Sequence, residues 1–160
     1  MAHIHEKIDY TVGVYIVHIN KVLLRLHEKY NIWLPVGGHI ELNEDPSQAA
    51  IREVKEEVGL VIKLWNGNQI FMPHGQLYHG DPPRAYNELI PPVGLNRHDI
   101  SATHEHVDFT YFAIADTFEV IPENHDDQWR WLEKDQLDSI ELHPDIHFWA
   151  SHALDTLGEK

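Results

Sequence analysis

The stretch from Asp45 to Gly59 constrains this chain more than any other, because both ends of a helix are written into it. Asp45 supplies an N-cap carboxylate, Pro46 suits the first helical position, and Gly59 readily leaves a helix in a left-handed turn. A helix running to about Val58 is therefore expected. At about 100° per residue, Ala50, Ile51, Val54 and Val58 share the arc that should face a sheet. Glu53, Glu56 and Glu57 fall on a different arc, so their carboxylates project together into one small volume. Like charges at this spacing repel by roughly a few tenths of a kcal/mol per exposed pair, and by more when desolvated. Hard cations with oxygen ligands supply the compensation such a cluster needs.

Composition limits what the cluster can serve. The chain has 160 residues, 42% hydrophobic and 24% charged, which is the balance of a folded domain and not of a disordered one. One domain over residues 1–160 is expected, with a long irregular insertion at about 66–104. No apolar run reaches membrane-spanning length, and the first seven residues lack the pattern of a secretory signal. A net charge of -14 argues against duplex nucleic acid and anionic lipid as partners. The absence of cysteine excludes disulfides, thiolate zinc sites and cysteine nucleophiles, and the cytoplasm is the expected compartment.

The remaining elements follow from pattern. Residues 10–19 are β-branched and aromatic and read as a buried strand, and residues 22–27 return as its hairpin partner across Asn20-Lys21. Residues 60–65, 106–115 and 128–132 are further strands. Between Asn66 and Thr103 the text is broken by prolines and glycines, which reads as an excursion with at most short strands. Pro144 opens a last helix whose stripe is Ile146, Trp149, Ala150, Ala153, Leu154 and Leu157, closed by Gly158. Mixed strands and helices of this kind make an α/β or α+β domain with helices on a mixed sheet. The Pro35-Val36-Gly37-Gly38 segment reads as a turn that lets backbone approach the carboxylates closely.

From Gly38, five residues lead to Glu44, and seven more to Arg52-Glu53-Val54-Lys55-Glu56-Glu57-Val58-Gly59-Leu60. This resembles, at all nine specified positions, the box that defines the Nudix hydrolase family. Trp33, Pro35 and Glu41 are similar to that family's lead-in, while Val36, between Pro35 and the glycine pair, departs from the many members that carry proline there. The resemblance implies a three-layer α/β/α sandwich around a mixed β-sheet. It also implies hydrolysis of a nucleoside diphosphate linked to another group: a nucleotide, a dinucleoside polyphosphate or a nucleotide sugar. Carried over, Glu53, Glu56 and Glu57 would hold Mg²⁺ or Mn²⁺, with a carbonyl of the Gly38 segment. Arg52 would orient the acids, and Glu44 would position Arg52 or a water. Glu56 is the first choice for general base and Glu53 the second. Because the base varies between branches of the family, Glu105 and Asp108 are candidates for it outside the box, and Glu105 is also an expected metal ligand.

Other signals are weaker. Tyr78 stands close to where relatives that cleave dinucleoside polyphosphates carry a tyrosine, and Arg84, Tyr86 and Arg97 could clamp phosphate or stack a base. His104, His106 and Asp108 alternate on one strand face with the spacing of zinc ligands. With 14 histidines scattered through the chain, however, they read as a polar strand face. The expected partner is a small-molecule nucleotide substrate, with a homodimer left open. Two alternatives stand beside this reading. A non-catalytic nucleotide sensor on the same fold would typically have lost box acids that are all present here. The isomerase branch uses a cysteine that this chain lacks.

Overall fold

The computed structural model describes residues 6–27, 31–67, 69, 76–78, 84–124 and 127–159, with backbone alone for 76–78 and 84–86. Strand β1 (Ile8–His18) runs through the centre of an eight-stranded sheet. It pairs antiparallel with β2 (Lys21–His27) through Val17 and His18. It also runs parallel to β9 (His104–Ala115) over ten residues, from Ile8 opposite Glu105 to Val17 opposite Ile114. The main path is β10 (Gln128–Leu132), β2, β1, β9 and β5 (Ile62–Leu64). Three strands attach beside it: β3 (Ile32–Leu34) on β2, β4 (Val36–His39) on β1, and β8 (Gly94–Ser101) on β9. Strands β6 (Gln76–Tyr78) and β7 (Arg84–Tyr86) form a separate two-stranded ladder.

Alternation along β1 and β9 divides the interior into two cores, because successive side chains of a strand point to opposite faces. Val12, Val14, Ile16, Tyr111 and Ala113 pack under helix α1 (Pro46–Val58). Tyr15, Val17 and Phe112 pack on the other face, against α3 (Pro144–Leu157) and Leu137 of the short helix α2 (Lys134–Leu137). Helix, mixed sheet and helix make the expected three layers.

Helix α1 begins and ends where its sequence signals stand. The Asp45 carboxylate accepts from the Ser47 and Gln48 N–H groups, and the Gln48 side chain accepts from the Asp45 N–H, a reciprocal capping box. Gly59 closes the helix at φ 68°. The sheet-facing stripe is Ala49, Ala50, Val54 and Val58. Ile51, expected in that stripe, is instead 48% exposed: the helix is rotated so that the small Ala49 meets the sheet.

Two other expectations are corrected. Val36–His39 is not a turn but a strand, paired with β1 from Thr11–His39 to Val14–Val36. The reason for its glycines is close approach, since a Cβ on Gly37 would lie 1.9 Å from the Val12 carbonyl oxygen. The excursion, read as irregular, ends in the eight-residue strand β8, which edges β9. Its largely exposed residues carry no apolar alternation to announce a strand.

Candidate active site

Helix α1 lies against β4 and presents its acids there, and one arginine gathers most of them. Arg52 donates through Nε and Nη2 to the Glu44 carboxylate, at 3.0 and 2.7 Å. Its Nη1 donates to Glu53 Oε1 and Glu56 Oε2, both at 2.9 Å, and Nη2 also reaches the His39 carbonyl at 2.9 Å. Glu44 accepts in addition from the Glu41 N–H, and its bonds to Arg52 hold its carboxyl below the usual range. The guanidinium therefore fixes the helix acids, the loop before the helix and the end of β4 in one arrangement. A planar five-donor fork can do this where a lysine could not.

Glu53 packs so tightly on Gly38 that a Cβ there would stand 2.4 Å from Glu53 Oε1. Glu57 is held differently. Its Oε1 accepts from Arg25 Nη1 at 2.9 Å and its Oε2 from the Gly37 N–H at 3.1 Å. Burial pushes its carboxyl up to about 7; the Gly37 bond and Arg25 oppose the rise, and the charges of Glu53 and Asp127 add to it. Glu56, with its side chain 55% exposed, is the most open of the three, against 14% and 17% for Glu53 and Glu57.

The donors gathered here are carboxylate oxygens on a helix beside a backbone strand, with no sulfur and no imidazole of their own. That set fits Mg²⁺ or Mn²⁺.

The structure does not bring the acids outside the box to this cluster. Glu105 stands opposite Ile8, four residues along β1 from the Val12–Gly38 pair, and is buried in ion pairs with Lys7 and Arg97. Those cations hold its carboxyl below the usual range, and they also occupy Arg97, expected as a phosphate clamp. Asp108 pairs with Thr11, on the face that carries α3. It accepts from the Thr11 and Thr110 hydroxyls, and burial raises its carboxyl. The side chains of Tyr78, Arg84 and Tyr86 lie outside the described residues; their backbones form β6 and β7, with Tyr78 opposite Arg84.

Sequence reasoning missed Arg25. It lies on β2 between Leu24 and Leu26, bridges Glu57 and Asp127 Oδ1 (3.0 Å), and sits 5.6 Å from the Trp129 ring centroid. A lone arginine within an apolar strand was the available signal. His39, whose carbonyl takes Arg52, was missed as well.

A model of the NUDIX domain matches residues 8–157. The chain belongs to the Nudix hydrolase family. The structure of a NUDIX-family hydrolase from Clostridium perfringens superposes with a TM-score of 0.79 at 36% identity, covering 93% of this chain and 97% of that one. The RNA pyrophosphohydrolase of Rickettsia conorii is 29% identical over 153 residues, 81% of this chain and 77% of its own length. The m7GpppN-mRNA hydrolase NUDT17 of Xenopus laevis is 44% identical over 59 residues, 33% of this chain but only 20% of that protein. The Arg52-centred cluster is thus the Nudix box of this chain, and Gly37-Gly38 on β4 is its backbone wall. Among the described residues, no helix is long and apolar enough to cross a membrane.

Proposed function

We propose that the chain is a divalent-metal-dependent pyrophosphohydrolase that cleaves a nucleoside diphosphate linked to another group. The carrying observation is that Arg52 binds Glu44, Glu53 and Glu56 at once, while Glu57 is buried beside them with its carboxyl raised to about 7. Glu53, Glu56 and Glu57, with a carbonyl of the Gly38 segment, would hold Mg²⁺ or Mn²⁺, which when bound neutralises phosphoryl oxygens and acidifies water. Arg52 orients Glu53 and Glu56 through its two bonds from Nη1, and Glu44 fixes Arg52 from the other side. Arg25 and the Gly37 N–H hold the Glu57 carboxylate in place. Glu56, the most open acid, takes the proton of the attacking water, and Glu53, held against Gly38, is the second choice. Glu105, bound to Lys7 and Arg97, is given no ligand role.

The 66–104 excursion within a single 1–160 domain is the natural place for substrate choice, because loops on a rigid scaffold carry specificity. The relatives' names add m7GpppN-mRNA and other RNA to nucleotides, dinucleoside polyphosphates and nucleotide sugars as substrates to test. A panel of these with Mg²⁺ or Mn²⁺, followed by product analysis, tests the reading. Cleavage between phosphorus atoms of at least one substrate is expected; no cleavage of any favours the sensor alternative.

A further inference from the structure

A second cluster of ligating side chains gathers on the other face of the sheet, and strand register assembles it. Asp9 on β1 stands opposite His106 on β9, His39 on β4 stands opposite Thr11, and His104 lies two residues before His106 on the same face. One ligand atom from each of Asp9, His39, His104 and His106 lies within 4.8 Å of the others. His104 Nε2 is 3.1 Å from His106 Nε2, and Asp9 Oδ2 is 3.4 Å from His104 Nε2 and 3.6 Å from His39 Nε2. His98, opposite His106 on β8, adds a fourth imidazole with its centroid 5.6 Å from that of His106.

A single proton shared between two imidazoles explains one 3.1 Å contact, but not a third imidazole and a carboxylate converging on the same point. A tetrahedral ion does. With bonds of about 2.0–2.1 Å it holds its ligands roughly 3.3–3.4 Å apart, and the spacings of 3.1, 3.4 and 3.6 Å bracket that value. The donor chemistry also separates the two clusters. Carboxylate and carbonyl oxygens at the Nudix box suit Mg²⁺ or Mn²⁺, whereas three imidazoles with one carboxylate suit Zn²⁺ and its neighbours.

We propose that Asp9, His39, His104 and His106 form a second metal site, distinct from the Nudix box, that takes a Zn²⁺-class ion. His39 links the two: its imidazole belongs to the second site, and its carbonyl accepts from Arg52. An ion held there pins the residue that follows Gly38.

The test uses the full chain freed of metal, titrated with Zn²⁺ by calorimetry and with Co²⁺ by visible absorption. Wild type and Glu57→Gln should both bind Zn²⁺ at this site, and Co²⁺ should give the intense bands of tetrahedral coordination. The His104→Ala/His106→Ala double variant should bind Zn²⁺ at least about 100-fold more weakly, with its Mg²⁺ affinity unchanged. Asp9→Asn, a milder change at a half-exposed side chain, should weaken Zn²⁺ in the same direction. The proposal is overturned if both His104→Ala/His106→Ala and Asp9→Asn keep wild-type Zn²⁺ affinity, if Glu57→Gln abolishes Zn²⁺ binding, or if Co²⁺ gives only weak octahedral bands.

Discussion

Arg25 on β2 reaches Glu57 on α1, with Nη1 2.9 Å from Oε1, and so ties a largely buried acid of the Nudix box to the sheet. The pair couples the site to the fold, and it leads to the first prediction. Arg25→Met removes the cation and leaves Glu57 with its bond from the Gly37 N–H. At pH 8 in EDTA this should cost about 1–3 kcal/mol, the range for leaving a buried charged partner unsatisfied. In a Glu57→Gln background the same change should cost much less, with a coupling above about 1 kcal/mol in a double-mutant cycle from denaturant unfolding. Additive costs would mean that Arg25 acts through packing on Trp129 alone.

Glu57 also gives a pH dependence. Burial raises its carboxyl from an ordinary 4.5 to about 7, so between those values the folded chain holds more protons than the unfolded chain. Stability contributed by this group is present below the unfolded pKa and is lost as pH rises through the folded one. In EDTA, Glu57→Gln should therefore gain on wild type progressively from pH 4.5 to 7, by up to about 3 kcal/mol. Parallel stability–pH curves for the two proteins would contradict it.

The adjacent glycines should fail in different ways. A Cβ on Gly37 meets the Val12 carbonyl at 1.9 Å, so Gly37→Ala should force β4 off β1 and lower the melting temperature by several degrees. A Cβ on Gly38 meets the Glu53 carboxylate at 2.4 Å, the end of a side chain that can move. Gly38→Ala should thus keep most of the stability and lose at least about 10-fold in kcat, because a displaced acid is misplaced for the chemistry. Calorimetry and steady-state kinetics on both variants check this.

Helix α1 and its box were legible because their signals are local: a cap, a proline, a closing glycine and acids on one arc. Strand β4 was not, because what makes it a strand is its pairing with Thr11–Val14, and its glycines look like a turn until the Val12 carbonyl is seen against Gly37. Strand β8 was hidden for a similar reason, since its edge position leaves it without apolar alternation. Ile51 was misplaced because Ala49 gives a smaller and closer contact to the sheet. Arg25, and the meeting of Asp9 and His39 with His104 and His106, are set by register between distant strands, which no window of sequence contains.

The most direct test of the site is hydrolysis of the best panel substrate by wild type, Glu56→Gln and Glu57→Gln, each with Mg²⁺ and with excess EDTA. Wild type should be active only with the metal, and each variant should lose at least about 10²-fold in rate. Full wild-type activity in EDTA, or wild-type rates in both variants, would contradict the assignment of these carboxylates to a catalytic metal site.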